Sequence, residues 1–467
     1  MSKSAGLITS VSGVRGMVGE ELTPDIAMKF AQAFGTYLER GPVAISRDSR
    51  VSGEMLYEAT AAGLMSVGSD VYFLSINPTP TVGFIAHKIE AAGAVQITAS
   101  HNPAEYNGIK LFGNNGAVLS VADGKRVLQT YQSETWKLAG WRDTGKARTV
   151  MLDPSREHIR QVLAQVDHSA IAKRRFRILV DGNHGAGGPL ALILATMLGC
   201  QVVRHGCEPD GQFAHMPEPA EANVAEVAKR VLEERCHLGI VLDPDADRLA
   251  FIDERGRYIG EEFTLGLAVA YRLRQTKGPI VVNMSTSRLV EDLAAIHDCP
   301  FYRSAVGEAN VVAKMLEVGA MIGGEGNGGI IDPRVGLVRD PFVGLALVLS
   351  LLTETGDALS DQVAKLPQYA IIKKKYELAT GKLTKLYKKI ATQWSETQLS
   401  WEDGLRLEWD KQWIHVRPSN TEPIVRVIVE GPTEQIANST SQKVGKIVEE
   451  VGAKPKRRRR SDARKLR

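Results

Sequence analysis

The sequence is poor in cysteine and has no long apolar run, and each shortage excludes a class of protein. Its four cysteines among 467 residues are scattered without a Cys-x-x-Cys pair, so we expect neither a cysteine zinc site nor a disulfide framework. The longest apolar run, FVGLALVLSLL at 342–352, is far shorter than the ~20 residues that span a bilayer. The first ten residues, MSKSAGLITS, contain no apolar signal core. We therefore expect a cytoplasmic protein that does not enter a membrane.

A strong charge of one sign is also missing from most of the chain. The formal net charge is +4, but the last fourteen residues, KPKRRRRSDARKLR, hold nine Lys or Arg and one Asp. This segment carries +8, so the other 453 residues sum to −4. A mildly acidic body argues against a general nucleic-acid-binding role. We interpret residues 453–467 as a basic, disordered tail. Nucleic-acid binding through this tail is the alternative, and it would be sensitive to salt.

Short apolar runs alternate with helical patterns along most of the chain. PVAIS (42–46), DVYFL (70–74) and GAVQIT (93–98) are typical of buried strands, and an apolar-striped helix separates the first two. The same rhythm restarts at residues 176 and 278. It predicts crossover units on largely parallel sheets in three α/β blocks of similar size. The C-terminal part predicts mostly antiparallel strands with helices between them, as in a separate α+β domain.

Three carboxylates follow a strand-like run at LGIVLDPDADRLAFID (238–253). Asp243, Asp245 and Asp247 would repel one another unless a divalent cation neutralised them, and hard oxygen ligands suit Mg²⁺, Ca²⁺ or Mn²⁺. The spacing to Glu254 imitates an EF-hand calcium loop, but Arg248 stands where that loop needs glycine for its sharp turn. A solvated acidic turn is the alternative that requires no function.

Two further loops carry groups that could bind a ligand. RPSNTEPIVRV (417–427) is a turn region rich in guanidinium, hydroxyl and amide groups, which bind phosphate well; a capped turn between strands is the alternative. GGEGNGGIID (323–332) places two polar side chains among glycines, where backbone can approach a ligand closely. The candidate residues are Arg417, Ser419, Asn420, Thr421 and Arg426 in the first loop, and Glu325 and Asn327 in the second.

Taken together, these stretches resemble the α-D-phosphohexomutases, the family of phosphoglucomutase, phosphomannomutase and phosphoglucosamine mutase. TASHNP (98–103) matches the family's phosphoserine loop, and DPDADR (243–248) its metal loop. GEGNGG (324–329) and RPSNTEP (417–423) match its sugar-binding and phosphate-binding loops. The motifs occur in family order and cover nearly the whole chain. Further matches are SGVRG (12–16), SRDSRVSG (46–53) and EPDGQFAHMPEP (208–219).

The resemblance implies an α/β protein of four-domain phosphohexomutase architecture. Three related α/β domains would precede a smaller C-terminal α+β domain, with the active site in the central cleft. The domains predicted on this basis are residues 1–150 with the phosphoserine loop, 151–255 with the metal loop, 256–368 with the sugar-binding loop and 369–452 with the phosphate-binding loop, followed by the tail at 453–467.

The resemblance also implies the chemistry. Ser100 would be the phosphoserine and would join Asp243, Asp245 and Asp247 as a ligand of Mg²⁺, with Arg248 beside them. Glu325 and Asn327 would contact sugar hydroxyls, and the residues of the 417–427 loop would hold the phosphate that is not transferred. A hexose 1,6-bisphosphate would act as activator, and hexose phosphates would be the small-molecule partners of a monomer or homodimer.

The residue that handles the proton is open at this point. Lys110 and His101 are the candidates, with Arg15 as an electrostatic partner. We favour Lys110, because a neighbouring cationic cluster could lower its pKa and make it a base. His101 could instead hold the serine loop through a hydrogen bond. Many family members have a histidine where Gly329 stands here, so no proton role can be carried over to that position.

The substrate is also open at this point. The loop set favours phosphoglucosamine mutase, which converts glucosamine 6-phosphate to glucosamine 1-phosphate. Phosphomannomutase/phosphoglucomutase is the alternative within the family. A non-catalytic calcium- or nucleic-acid-binding protein is the alternative from another class, and the coincidence of Ser100 with the metal and phosphate loops argues against it.

Overall fold

The structure is a computed structural model that describes residues 6–10, 13–419 and 424–452. The chain forms two compact units, Met1–Gln368 and Tyr369–Arg467. Asn420, Thr421 and the predicted basic tail lie outside the described residues.

The first sheet of unit 1 is mixed and carries helices formed by its crossover segments. Its strands are β1 (Ile8–Ser10), β2 (Gly13–Met17), β3 (Val43–Arg47), β4 (Val71–Ile76), β5 (Gly93–Ile97), β6 (Tyr106–Gly113) and β7 (Ala147–Arg148). Its helices are α1 (Pro24–Tyr37), α2 (Gly53–Ser66), α3 (Thr79–Lys88) and α4 (Val121–Ser133). The strands lie in the order β1-β2-β6-β5-β3-β4-β7.

Two smaller sheets follow in unit 1. The second contains β8 (Arg177–Asp181), β9 (Gln201–His205), β10 (Leu238–Leu242) and β11 (Leu249–Asp253), with α5 (Pro154–Leu163), α6 (His168–Arg174), α7 (Gly187–Met197) and α8 (Ala225–Glu233) in this part of the chain. The third contains β12 (Ile280–Asn283), β13 (Phe301–Ser304), β14 (Ile322–Glu325) and β15 (Gly329–Ile331), with α9 (Glu261–Gln275), α10 (Leu289–Ile296), α11 (Glu308–Val318), α12 (Pro341–Thr355) and α13 (Leu359–Lys365).

The three sheets repeat one strand order. It reads β6-β5-β3-β4 within the first sheet, β11-β10-β8-β9 in the second and β15-β14-β12-β13 in the third. In each, the first-named strand is antiparallel to its neighbour and the others are parallel. The prediction of three related α/β domains is confirmed. The antiparallel hairpin in each repeat carries one of the loops that the sequence singled out.

The long apolar run forms α12, and this helix is enclosed by the rest of unit 1. Every residue from Pro341 to Leu352 is buried, and the helix packs against α5, α6, α9 and β15. Asp340 caps its start by accepting from the backbone N–H groups of Phe342 at 2.8 Å and Val343 at 3.3 Å. Pro341 occupies the first turn, where a missing N–H costs nothing. The Asp-Pro pair therefore starts a helix.

Among the described residues, no single helix combines the length and the apolar content of a membrane span. Only α12 and α13 taken together reach both, and they are bent by 89°.

Unit 2 is an antiparallel sheet with helices, as the α+β prediction requires. Its strands are β16 (Ala370–Glu377), β17 (Gln398–Ser400), β18 (Leu405–Trp409), β19 (Gln412–Pro418) and β20 (Ile424–Gly431), and its helices are α14 (Leu383–Gln393) and α15 (Glu434–Gly452). The strand order is β16-β20-β19-β18-β17. The core lies between sheet and helices and includes Ile414, Val427 and Val444.

Candidate active site

Ser100 lies in the hairpin loop between β5 and β6, in a backbone conformation that few non-glycine residues adopt. Its φ is +50°, in the left-handed region, which side chains disfavour. The backbone N–H of Ser100 donates to Thr98 Oγ1 at 2.9 Å, and Thr98 Oγ1 donates to Asp48 Oδ2 at 2.6 Å. The strained turn is therefore held by side chains, one of which comes from a different strand end.

The side chain of Arg50 holds the same loop through hydrogen bonds to its backbone carbonyls. Its guanidinium donates to four backbone carbonyls, those of Ser100 (2.7 Å), Asn102 (2.6 Å), Pro103 (2.6 Å) and Tyr106 (3.0 Å). Its Nε also pairs with Asp48 Oδ2 at 3.2 Å, and the Arg50 side chain is only 1% exposed. A single planar fork with five donors thus satisfies the carbonyls of the serine loop.

The acidic loop between β10 and β11 meets the serine directly. Ser100 Oγ donates to Asp243 Oδ2 at 2.9 Å. The other oxygen, Asp243 Oδ1, accepts from the backbone N–H groups of Asp247 and Arg248 at 3.0 Å each. The flanking elements are strands and the three aspartates are buried. The structure therefore excludes both the EF-hand helices and the solvated acidic turn.

The three aspartates fit a divalent cation. One carboxylate oxygen from each lies within 4.8 Å of the others, the one such group in the described part of the chain. Burial, with the charges of Asp245 and Asp247, raises the pKa of Asp243 well above its usual range. Within the described residues, Asp245 Oδ1 and Asp247 Oδ1 are buried without a hydrogen-bond donor. An all-carboxylate set with free oxygens matches Mg²⁺, which keeps further positions for water and phosphate oxygen.

Lys110 reaches this loop from β6, and the expected lowering of its pKa is wrong. Its Nζ lies 3.0 Å from Asp247 Oδ2 and 3.1 Å from Glu308 Oε2. Burial lowers the pKa of Lys110, but Glu308 and Asp247 outweigh burial and raise it above its ordinary value. The side chain is held as an ammonium between two carboxylates, because its nearest charged partners are anionic.

His101 stands between Ser100 and Arg248. Its Nδ1 lies 3.2 Å from Ser100 Oγ, and Arg248 Nη2 lies 3.5 Å from its Nε2. Arginine can only donate, so Nε2 accepts and Nδ1 carries the proton that faces the serine. Burial, Arg248 and Arg15 lower the pKa of His101 to about 2. The imidazole is therefore neutral and is placed to orient the serine hydroxyl.

The two predicted arginines line the same region. Arg15 Nη1 donates to Asn102 Oδ1 at 2.6 Å, which ties β2 to the serine loop. Arg248 Nη1 pairs with Glu218 at 3.3 Å, and Glu218 belongs to the 208–219 motif. Burial is the largest influence on Arg15 and lowers its pKa. Both guanidinium groups remain cationic beside the acidic loop.

The predicted sugar-binding loop, called the sugar loop below, is the tight turn between β14 and β15. Glu325 Oε1 accepts from Asn283 Nδ2 at 2.8 Å and from the Gly307 N–H at 3.2 Å. Its Oε2 accepts from Arg339 Nη1 at 3.0 Å. Asn327 accepts from the Gly329 N–H at 3.2 Å. Glu325 is thus fixed by three donors, and Asn327 shapes the turn.

The candidate phosphate-binding residues belong to unit 2. Arg417 on β19 pairs directly with Arg426 on β20, which in turn pairs with Lys375 on β16. Residues paired in this way share one face of a sheet. Lys375, Arg426 and Arg417 therefore form a row of three cations, which we call the cation row. Like charges opposite one another destabilise a sheet. Arg417 Nε also contacts Asp403 at 3.1 Å. The N–H of Ser419 donates to the carbonyl of Ile424 at 2.9 Å.

Sequence reasoning missed several residues that complete this arrangement. Arg50 lies inside SRDSRVSG, which the sequence indicates only as a family signature. Thr79 donates to Asp245 Oδ2 at 2.7 Å from the start of α3, and no local motif indicates it. Arg339 contacts Asp247 in the acidic loop and Glu325 at the end of β14, and Glu308 contacts Arg339 and Lys110. For Arg50 the available signal was its place inside that motif, whereas the contacts of Thr79, Glu308 and Arg339 join segments that are distant along the chain.

Ser100 donates to one of three buried carboxylates that fit a divalent cation. This arrangement, on a repeated α/β fold with a separate α+β unit, is that of the phosphohexomutase class of enzymes. The models of the three α/β/α domains described as phosphoglucomutase/phosphomannomutase match residues 7–138, 156–256 and 261–369. The model of the C-terminal domain of the same description matches residues 400–446.

Individual proteins of the same description are also similar to this chain in sequence or in structure. A phosphoglucomutase/phosphomannomutase of Thermococcus kodakarensis is 37% identical over 455 residues, which cover 96% of this chain and 99% of that protein. A probable phosphoglucosamine mutase of Pyrococcus abyssi is 33% identical, with 96% and 98% covered. The solved structure of a phosphoglucomutase/phosphomannomutase family protein from Burkholderia thailandensis shares the fold, with a TM-score of 0.84 at 24% identity over 97% and 98% of the two chains. The chain belongs to the phosphoglucomutase/phosphomannomutase family and is an isomerase of the phosphomutase type.

Proposed function

We propose that this enzyme interconverts hexose 6-phosphates and hexose 1-phosphates through a phosphorylated Ser100. The sugar's free hydroxyl attacks the phosphorus, the bond between phosphorus and Ser100 Oγ breaks, and overall the proton of the hydroxyl passes to the serine oxygen, which gives a bisphosphorylated sugar and a free serine. After the sugar reorients, its other phosphoryl group returns to Ser100. The contact between Ser100 Oγ and Asp243 Oδ2 at 2.9 Å supports this proposal, because Asp243 is one of the three carboxylates proposed to hold the metal ion.

The residues around Ser100 suit phosphoryl transfer, which depends mainly on positioning and charge neutralisation. Asp243, Asp245 and Asp247 would hold Mg²⁺ together with an oxygen of phospho-Ser100. When bound, the ion withdraws negative charge from the transferring group. Arg248 and Arg15 add fixed positive charge nearby, and His101 orients the serine oxygen. We propose an electrostatic role for Lys110, since its ammonium already sits between Asp247 and Glu308.

The phosphate that is not transferred requires its own site, and the cation row of unit 2 supports one there. Arg417 and Arg426 face each other across β19 and β20, and an oxyanion would relieve their repulsion while accepting bidentate hydrogen bonds. Ser419 directly follows β19. Asn420 and Thr421, outside the described residues, are predicted to complete this site with their side chains.

We propose glucosamine 6-phosphate as the preferred substrate, with a hexose 1,6-bisphosphate as activator. Several similar proteins carry the name of probable phosphoglucosamine mutase, at 31–33% identity. The relative at 37% identity carries the name phosphoglucomutase/phosphomannomutase, so glucose and mannose phosphates form the second candidate. The cytoplasmic location and the choice between monomer and homodimer stay predictions from the sequence.

A side-by-side assay decides between these substrates. The purified enzyme is supplied with Mg²⁺, the matching bisphosphate and either glucosamine, glucose or mannose phosphate, and kcat/KM is compared. We expect the largest value for glucosamine phosphate. A larger value for glucose or mannose phosphate would establish the second candidate, and no turnover with any of the three would reject the reaction itself.

Replacement of Ser100 tests the phosphoserine. We expect Ser100→Ala to abolish turnover and to remove a mass increase of about 80 Da, which the bisphosphate installs on the wild-type enzyme. Intact-mass spectrometry with peptide mapping provides the measurement. Ser120→Ala is the matched control, since Ser120 caps α4 by accepting from the Asp123 N–H. A Ser100→Ala enzyme with wild-type turnover would refute the proposed role.

A further inference from the structure

Arg339 lies between β15 and α12 and contacts three carboxylates that belong to different segments. Its Nη2 donates to Asp247 in the metal loop, and its Nη1 donates to Glu325 Oε2 in the sugar loop at 3.0 Å. Its Nε lies 3.3 Å from Glu308 Oε2 at the start of α11. The residue is 8% exposed. One guanidinium therefore connects the proposed metal loop with the proposed sugar loop.

The backbone of the same residue fixes this placement. The N–H of Arg339 donates to Glu308 Oε1 at 3.0 Å, while Glu308 Oε2 accepts from Lys110 Nζ at 3.1 Å. Lys110 also donates to Asp247 Oδ2 at 3.0 Å. The side chains of Arg339, Glu308, Lys110 and Asp247 therefore form a closed ring in which cationic and anionic groups alternate. The ring joins the second strand of the serine hairpin to the acidic loop, to the start of α11 and to the segment before α12.

Gly329 provides the space that Arg339 occupies. A Cβ at position 329 would stand 2.3 Å from Arg339 Cδ and 3.0 Å from its Cγ, well inside van der Waals contact. The backbone of Gly329 does not have a positive φ, so the conformation itself tolerates alanine. The close approach of the arginine stem is the reason that a side chain does not fit there.

We propose that Arg339 is a positioning residue for phosphoryl transfer. It sets the distance between the metal loop and the sugar loop by holding Asp247 and Glu325 on one rigid fork, and Gly329 is the residue that admits it. The proposal rests on the mutase reaction proposed above. A fixed separation matters because the sugar hydroxyl and the phosphorus react only when aligned, and a misplacement of about 1 Å costs roughly 100-fold in rate.

A stabilising role alone is the rival explanation, and energetics do not favour it. A buried ion pair gains little net stability, because desolvation of both partners offsets their attraction. A plane with five fixed donors does, however, impose geometry on the carboxylates that it binds. The effect of Arg339 should therefore appear in the rate rather than in folding alone.

The first experiment compares Arg339→Ala with Arg272→Ala. Arg272 is a matched control, since it is also buried in unit 1 and pairs with Asp332 through Nε and Nη2 at 2.6 Å each. We expect both variants to lose thermal stability. We expect only Arg339→Ala to lower kcat by about 100-fold with KM changed less than about threefold. Mn²⁺ binding, followed by electron paramagnetic resonance without substrate, should persist in both.

The second experiment is a double-mutant cycle between positions 329 and 339. Gly329→Ala should lower kcat in the wild-type background, since its Cβ displaces the Arg339 stem. It should have little further effect in the Arg339→Ala background, where Cγ and Cδ are absent. This non-additivity is the signature of one shared contact. Arg339→Lys should restore little of kcat, because an ammonium cannot hold two carboxylates in a fork.

Three results would overturn the positioning role. They are a kcat for Arg339→Ala within about threefold of wild type, equal losses for Arg339→Ala and Arg272→Ala, and additive losses in the cycle. A wild-type enzyme without turnover on any hexose phosphate would instead reject the proposed function. An active wild-type enzyme with an indifferent Arg339→Ala variant would reject only the role of Arg339.

Discussion

The three aspartates of the acidic loop contact different groups, although they are evenly spaced in the sequence. Asp243 meets Ser100 and two backbone N–H groups, and Asp247 meets Lys110 and Arg339. The side chain of Asp245 receives the Thr79 hydroxyl on one oxygen, and its Oδ1 lacks a donor among the described residues. Asp245 is therefore the aspartate whose charge depends most on a cation.

Asp245→Asn should weaken the metal site and the reaction together. We expect the Mg²⁺ concentration for half-maximal turnover to rise, and kcat at moderate Mg²⁺ to fall by about 100-fold or more. Titration of Mg²⁺ in the mutase assay, with Mn²⁺ binding as a separate readout, checks this. Asp253→Asn is the control, since that buried carboxylate accepts from Arg255 and Arg257 at the far end of β11. Unchanged Mg²⁺ dependence in Asp245→Asn would contradict the assignment.

We expect His215, in the 208–219 motif, to make the free energy of unfolding depend on pH. Burial opposes its protonation, but its hydrogen bond to Asp181 Oδ2 at 2.7 Å outweighs burial and raises its pKa. A raised pKa in the folded state stabilises the protein below the unfolded value of about 6.5, and this stability is lost as pH rises through the folded value.

The free energy of unfolding should therefore differ most between wild type and His215→Gln at low pH. We expect the difference to be larger at about pH 5.5 than at about pH 9, as measured by urea denaturation at each pH. His168→Gln, at an exposed position, is the control. A difference that does not change with pH would show that the ion pair with Asp181 contributes no linked proton.

At the scale of the element, the serine hairpin depends on a residue outside it. Arg50 supplies donors to four carbonyls of the loop between β5 and β6, and it follows β3 rather than either hairpin strand. Lysine at this position would keep a charge beside Asp48 but could not serve four acceptors in one plane. The strained φ of Ser100 would then lose its main support.

Arg50→Lys should therefore lower kcat by about 100-fold and also lower Tm. Arg47→Lys is the matched control, because Arg47 is three residues away and its guanidinium approaches Glu54 at 3.9 Å. Steady-state kinetics and thermal denaturation of both variants provide the comparison. Equal kinetics for the two would show that the carbonyl bonds are dispensable.

The sequence predicted individual strands and loops better than it predicted contacts between residues that are distant along the chain. The strand predicted at 93–98 is found at Gly93–Ile97, and the strand–loop–strand at 238–253 is found as β10 and β11. The spacing of apolar residues and the apolar content of a segment determine such elements locally. The pKa of Lys110 was predicted with the wrong direction, because Asp247 and Glu308 are 137 and 198 residues away along the chain. Local sequence carries no information about such partners, and Arg339 was missed for the same reason.

At the scale of the whole molecule, charge is distributed very unevenly. Residues 454–467 carry +8 while the remaining chain carries −4, and the family models end at residue 446. Catalytic residues proposed above all precede this segment. The chain without its last fourteen residues should therefore keep the reaction.

Deletion of residues 454–467 should leave kcat/KM within about twofold of the full chain. The mutase assay on both chains at low and moderate salt is the measurement. Binding of a fluorescent oligonucleotide provides the second readout, and any salt-sensitive binding should disappear with the tail. A large loss of turnover would mean that the tail belongs to the catalytic machinery.

The burial of α12 affects how the protein is inactivated by heat. A helix whose residues from Pro341 to Leu352 are all buried exposes a large apolar surface as soon as unit 1 opens. Such a surface promotes aggregation before refolding can occur. We therefore expect heat inactivation to be irreversible, with an enzyme lifetime set by the rate at which unit 1 unfolds rather than by an equilibrium.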